Sequence, residues 1–401
     1  MPHWKSTPGL GAGDPGPGQS GQASRAAGSA GSSGSRRGYL DWVRGVAVLV
    51  MIEAHVVDSW TAAPDRFSKA FAWAMIVGGF GAPLFLLLAG VAVSLSAGSK
   101  ARRLGGTRAA CLAVMRRGLE IFLLAFVFRI QAWILGWSSP WFLLRVDILN
   151  VMGPAIVMSA ALWGMRATFR GRVMVFMIAT LAITFLTPIV RLSPIVGRLP
   201  DPIEAYLRPV GSLTSFSFFP WAGFVFAGAL LGVLLDAVRS DPASEAWSST
   251  EGRLNLAFLS GGVFLAVLAY SASFLPTPYT RSDFWTSSPA FFFLRLGLLI
   301  AVIGISYAWE KRPAGNERWS PLQQLGRTSL FIYWIHVEMV YGLVSLPLHH
   351  ALTLRQTWLG LALFSLFMLF CSIGKDRLVA RRETRRQPQP KSLPPVLPSS
   401  L

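Results

Sequence analysis

Charge is scarce in this chain, and acid is scarcer still. Of its 401 residues only 14% are Asp, Glu, Lys or Arg, with 19 acidic against 37 basic. Soluble domains carry about 25% charged residues, so an ordinary soluble globule is excluded. Cysteine is nearly absent. Cys111 and Cys371 lack the spacing of a metal site, and both fall near the ends of apolar segments. Two reduced thiols and no disulfide are expected. No segment alternates apolar and polar residues over membrane length, which argues against a β-barrel. No nucleotide-binding loop and no cluster of metal ligands is present. Residues 1–38 contain no apolar run, so they lack the core of a signal peptide. Their Gly, Ser, Ala and Pro predict a disordered cytoplasmic tail.

Apolar length is abundant. The chain is 53% hydrophobic and contains 15 Trp. Runs of about 20 apolar residues each suffice to cross a hydrocarbon core of about 30 Å as a helix. The pattern predicts an all-α polytopic membrane bundle of about ten transmembrane helices. They lie near 40–58, 70–97, 118–137, 142–163, 173–189, 216–236, 254–275, 289–309, 321–345 and 357–374. The core domain is then 39–375, with a basic, disordered cytoplasmic tail over 376–401. The net charge of +18 is a topology signal and does not indicate nucleic acid. With the N-terminus inside, 25 of the 37 Lys and Arg fall in inner tails and loops, 7 in outer loops and 5 within spans. Both termini are expected in the cytoplasm, and the Arg-rich C-terminal tail suits an anionic leaflet.

The first span, YLDWVRGVAVLVMIEAHVVDSW, holds Arg44 and His55 eleven residues apart. Eleven helical steps bring the two side chains back to one face, about 16 Å apart along the axis. Such residues are costly in lipid and are usually functional or paired inside a bundle. Asp41 and Arg44 start this helix at the inner end, and Glu53, His55 and Asp58 end it at the outer side. Arg129, Gln131, Arg145, Asp147, Asn150, Arg295, His336 and Glu338 fall at similar outer depth in other spans. A hydrated cavity open to the outside would hold them economically. Plainer roles compete. Asp41–Arg44 suits an interfacial ion pair, and His55 suits a hydrogen bond to Asp58. Arg129, Arg145 and Arg295 suit bridges to Asp147, Glu53 or Glu338. His336 divides evenly between core hydrogen bonding and catalysis. His349 and His350 read as solvated loop residues. The glycines of GGFGAPLFLLLAG read as close-packing positions.

Three segments now carry a resemblance. LDWVRGVAVLVMIEAH, GGFGAPLFLLLAGVAVSLS and LGRTSLFIYWIHVE together resemble the heparan-alpha-glucosaminide N-acetyltransferase catalytic-domain family. That family is related to the membrane acyltransferase 3 proteins. The likeness covers roughly 36–375, and Arg44 and His55 fit the Arg-x10-His spacing of acyltransferase 3 proteins. The resemblance implies a ten-helix-type core in a bacterial plasma membrane. It implies transfer of an acyl group, often acetyl, from cytoplasmic acyl-CoA to a sugar or glycan on the far side. Acyl-CoA is then a co-substrate, no cofactor is held permanently, and a homodimer is left open. By analogy His55 takes the catalytic histidine position, with Asp58 and His336 beside it. Arg44 takes the acyl-donor position, with Asp41 and Arg327. Arg129, Arg145 and Arg295 are candidates for oxyanion stabilisation, and Asp147, Asn150 and Glu338 for sugar hydroxyls. The competing class is a transporter or flippase of a sugar or anion using the same outer cavity. A purely structural or sensory protein gives no reason for so many buried charges at one depth.

Overall fold

The computed structural model describes residues 37–136, 140–238, 249–312 and 319–386. The N-terminal tail expected over 1–38 lies almost wholly outside them, as do the residues beyond 386. Among the described residues the regular elements are helices, with two isolated bridges, Thr61 to Leu352 and Val146 to Thr214.

The chain opens with α1 (Gly38–Trp60), then α2 (Lys69–Gly78) and α3 (Gly81–Leu104). It continues through α4 (Thr107–Gly136), α5 (Ile148–Met165), α6 (Phe169–Leu192), the short α7 (Asp201–Leu207) and α8 (Phe218–Ala237). The last third holds α9 (Thr250–Ala272), α10 (Pro289–Glu310), α11 (Pro321–Arg327), α12 (Ser329–Tyr341) and α13 (Leu354–Arg386). Seven segments are long and apolar enough to cross a membrane: the joined α2–α3 stretch, α5, α6, α8, α9, α10 and most of α13. The protein is thus an all-helical, multi-pass membrane protein. The ten spans expected from sequence all fall on helix. However, α1, α4 and the pair α11–α12 are not among the seven. In α1 the reason is plain, because Asp41, Arg44, Glu53 and Asp58 leave no long uncharged window.

Four boundaries differ from the sequence reading. The span expected over 142–163 becomes α5 only at Ile148, with Arg145 ahead of the helix and Asp147 as its cap. The span expected over 70–97 breaks at Gly79 and Phe80. The one expected over 321–345 breaks at Thr328 and ends at Tyr341. The basic stretch expected to begin a tail at 376 instead continues α13 to Arg386. Its Arg, Leu, Ala and Glu are strong helix formers, and Pro388 stands just beyond.

α1 is the hub. It packs against α2, α3, α10, α11, α12 and α13. Its crossing with α11 is so close that side chains are excluded. A methyl at Gly45 would fall on the Leu322 carbonyl, and one at Gly326 on the Asp41 carbonyl. The main core lies among α3, α5, α8 and α10, built from residues such as Leu87, Phe224, Leu235 and Ile303. There Gly90 meets the Val225 carbonyl, the close-packing role expected of it.

Candidate active site

The α1–α11 crossing brings three charges together. Asp41, only 1% exposed, accepts from Arg44 at 2.9 Å, and Arg327 Nε stands 3.9 Å from its other oxygen. All three residues expected at the donor end therefore meet at one end of α1. One buried carboxylate holds two guanidiniums at the edge of the bundle, where Arg44 is half-buried and Arg327 more open.

From Arg44 a cavity of about 580 Å³ runs between α1, α3, α4, α5 and α12. Its Arg44 end is polar, with Ser96, Lys100, Arg117 and Glu120. Its walls are apolar, with Leu88, Val93, Ile121 and Leu149 among them, and it ends at Met51, Phe85 and Tyr333. Met51 is one turn before His55 on α1, and Tyr333 is one turn before His336 on α12. The lining therefore stops one turn short of both histidines.

Beyond that end, four rings stand in file. Tyr333 lies 5.9 Å from His336, His336 5.3 Å from His55, and His55 5.4 Å from Tyr341, centroid to centroid. His336 is fully buried. Its Nδ1 lies 2.8 Å from the Ile332 carbonyl, which only accepts, so Nδ1 carries the hydrogen. In the neutral ring Nε2 then keeps its lone pair, and it has no partner. His55 is partly exposed, and its Nδ1 is 3.0 Å from the Tyr341 hydroxyl. Tyr333 thus stands between the cavity and the histidines, and His55 is the partly exposed member of the pair.

The file is held by the end of α12. The Val340 carbonyl attracts Ser59 Oγ at 3.2 Å, Trp60 Nε1 at 3.4 Å, Ser345 Oγ at 2.7 Å and His349 Nε2 at 3.0 Å. Helix-terminal carbonyls lack an intrahelical partner, and here two of the donors come from α1. His349, read from sequence as solvated, is in fact a donor that closes this helix. The neighbouring chain is pinned as well, by Ala62 N to the Leu352 carbonyl at 2.8 Å and His350 N to the Ser59 carbonyl at 2.9 Å.

The remaining candidates separate into two groups. Arg129 and Asp147 form a buried ion pair at 2.9 Å. Asp147 also caps α5, accepting from Leu149 N and Asn150 N, while Asn150 returns its amide oxygen to Asp147 N and donates to Tyr206 at 3.2 Å. These three side chains are engaged in building the start of α5. Asp58 is likewise engaged: Arg66 bonds its carboxylate at 2.8 Å and also its carbonyl. Asp58 makes no direct hydrogen bond to His55. Arg145 is exposed and donates to Ser215 at 3.1 Å.

The second group is unsatisfied. Glu53 is 8% exposed and neither carboxylate oxygen has a partner. Arg295 Nε is buried without a partner, its guanidinium lying 4.0 Å over Phe291 and 5.8 Å from Phe80. Glu338 Oε1 is also unpartnered. Each such group costs about 1–3 kcal/mol until something satisfies it.

Tyr341, Tyr333, Lys100 and Arg117 are site residues that sequence reasoning passed over. Lys100 and Arg117 carried a signal, but it was absorbed by topology. Tyr341 carried none, because its partner His55 is 286 positions away.

Residues 36–261 match the family described as heparan-alpha-glucosaminide N-acetyltransferase, catalytic. That segment covers α1 to the middle of α9, so it includes Arg44, His55 and most of the cavity wall. Arg295, Arg327, His336 and Tyr341 lie past its end. No curated protein matches the chain. With more than half of its length inside the family match, this multi-pass helical protein belongs to the heparan-alpha-glucosaminide N-acetyltransferase catalytic family, a family of acetyltransferases.

Proposed function

We propose that the protein moves an acyl group, acetyl above all, from acyl-CoA on one side of the membrane to a sugar or amino-sugar acceptor on the other. The observation that carries this reading is the apolar cavity with a basic mouth, which points toward two neighbouring histidines, their ring centroids 5.3 Å apart. Its volume of about 580 Å³ lies in the usual range for small-molecule sites. Arg44, Lys100 and Arg117 suit the phosphates of CoA, since guanidinium and ammonium groups both bind phosphate. The apolar walls suit the pantetheine arm. The thioester then ends near Tyr333, below His336 and His55.

His55 is the base. Its Nε2 takes a proton from the acceptor hydroxyl or amine as that atom attacks the thioester carbonyl. The new C–O or C–N bond forms, the C–S bond breaks, and the thiolate regains a proton. Arg295, an unpaired guanidinium, suits the oxyanion, and Glu53 and Glu338 suit polar groups of the acceptor. The donor side is the cytoplasm, the membrane a bacterial plasma membrane, and ten crossings keep both termini on that side.

The test uses membranes supplied with labelled acetyl-CoA and a panel of amino sugars and glycans. His55→Ala is expected to lower transfer by at least about 100-fold while leaving acetyl-CoA binding in place. Arg44→Ala is expected to raise KM for acetyl-CoA about tenfold. A folded His55→Ala protein with undiminished transfer would sink the scheme, and sugar flux without consumption of acyl-CoA would mark a transporter instead.

A further inference from the structure

We infer that Tyr341 is the positioning residue that sets the tautomer of His55. The inference rests on the acyl-transfer reading above and assigns a part that neither the family match nor the sequence supplies.

The geometry is specific. His55 has one hydrogen-bonded nitrogen, Nδ1, at 3.0 Å from the Tyr341 hydroxyl. Its Nε2 makes no hydrogen bond among the described residues. A phenol can donate or accept, so its own proton decides which tautomer the ring adopts. With the phenol proton turned away from the ring, the Tyr341 oxygen faces His55 as an acceptor. Nδ1 then carries the hydrogen, and Nε2 keeps the lone pair that a base needs. When Nε2 takes the acceptor's proton, the imidazolium Nδ1–H still faces the phenol oxygen.

The tyrosine is built into place. It is the last residue of α12, just after the Val340 carbonyl that Ser59 and Trp60 of α1 engage. The helix stops at Gly342, so Tyr341 leaves α12 beside α1. Its ring meets the imidazole edge-on, at 79°.

The experiment is steady-state transfer by Tyr341→Phe, which keeps the ring and removes only the hydroxyl. The expected result is a fall in kcat of about 10- to 100-fold, with KM for acetyl-CoA and for the acceptor unchanged within about twofold. A residue that merely packed would leave kcat alone or move both constants with stability. Full kcat in Tyr341→Phe would overturn the assignment. His55→Ala in the same assay separates the two levels. If it abolishes transfer while Tyr341→Phe does not, the positioning role fails and the acyl-transfer reading stands. If His55→Ala is active, the reading itself fails.

Discussion

Side chains that the sequence sets three apart were the easiest to read. Asp41 and Arg44 do pair, because one helical turn leaves them adjacent. Arg129 and Asp147 needed the fold, yet their chemistry is as definite. Both are buried, and Asp147 spends its carboxylate on Arg129 and on two backbone amides. Removing one partner leaves a buried charge uncompensated, at a cost of about 3–5 kcal/mol. Arg129→Leu should therefore lower the unfolding temperature in detergent markedly, and Asp147→Asn combined with it should recover part of the loss. Equal stability of the two variants would show the pair to be idle. The histidine environment was legible only in part: depth put His336 near His55, and the rings do lie 5.3 Å apart. Periodicity tells which face of a helix His55 occupies, but not that a phenol from the far end of the chain meets its Nδ1.

Helices were legible throughout, most plainly where they are greasy. α5, α6, α8, α9 and α10 announce themselves by length and hydropathy. α1, α4 and α12 carry Arg44, His55, Arg129 and His336, and the same charges that make a site thin the apolar signal. The breaks at Gly79–Phe80 and Thr328 were missed because small and hydroxyl residues are also tolerated within continuous membrane helices. Thr328 finds its compensation locally, bonding the Gln324 carbonyl at 3.2 Å and Ser372 of α13 at 2.6 Å. The α1–α11 crossing yields a prediction at this scale. Gly326→Ala places a methyl on the Asp41 carbonyl, so the two helices must part. Overpacking of this kind costs about 1–3 kcal/mol. Stability should fall, and acetyl-CoA binding should weaken with it, because Arg327 and Arg44 share Asp41. A variant with unaltered unfolding temperature and affinity would show that the crossing tolerates the methyl.

At the scale of the described bundle, a cavity with a polar mouth leads toward a file of four rings. Ala92 lines the cavity midway. Ala92→Trp should abolish acetyl-CoA binding while leaving the fold intact by size-exclusion profile; retained binding would mean that the donor takes another route. Order of synthesis gives the architecture a further consequence. Among the described helices α1 is made first, and the Tyr341 that meets its His55 follows 286 positions later. Until α11 and α12 are made, Arg44 has Asp41 beside it while His55 waits for its phenol. Among the described helices the hub is thus the earliest made and among the latest to be completed. A chain cut short after α10 would leave it waiting, exposed to whatever quality control the membrane provides.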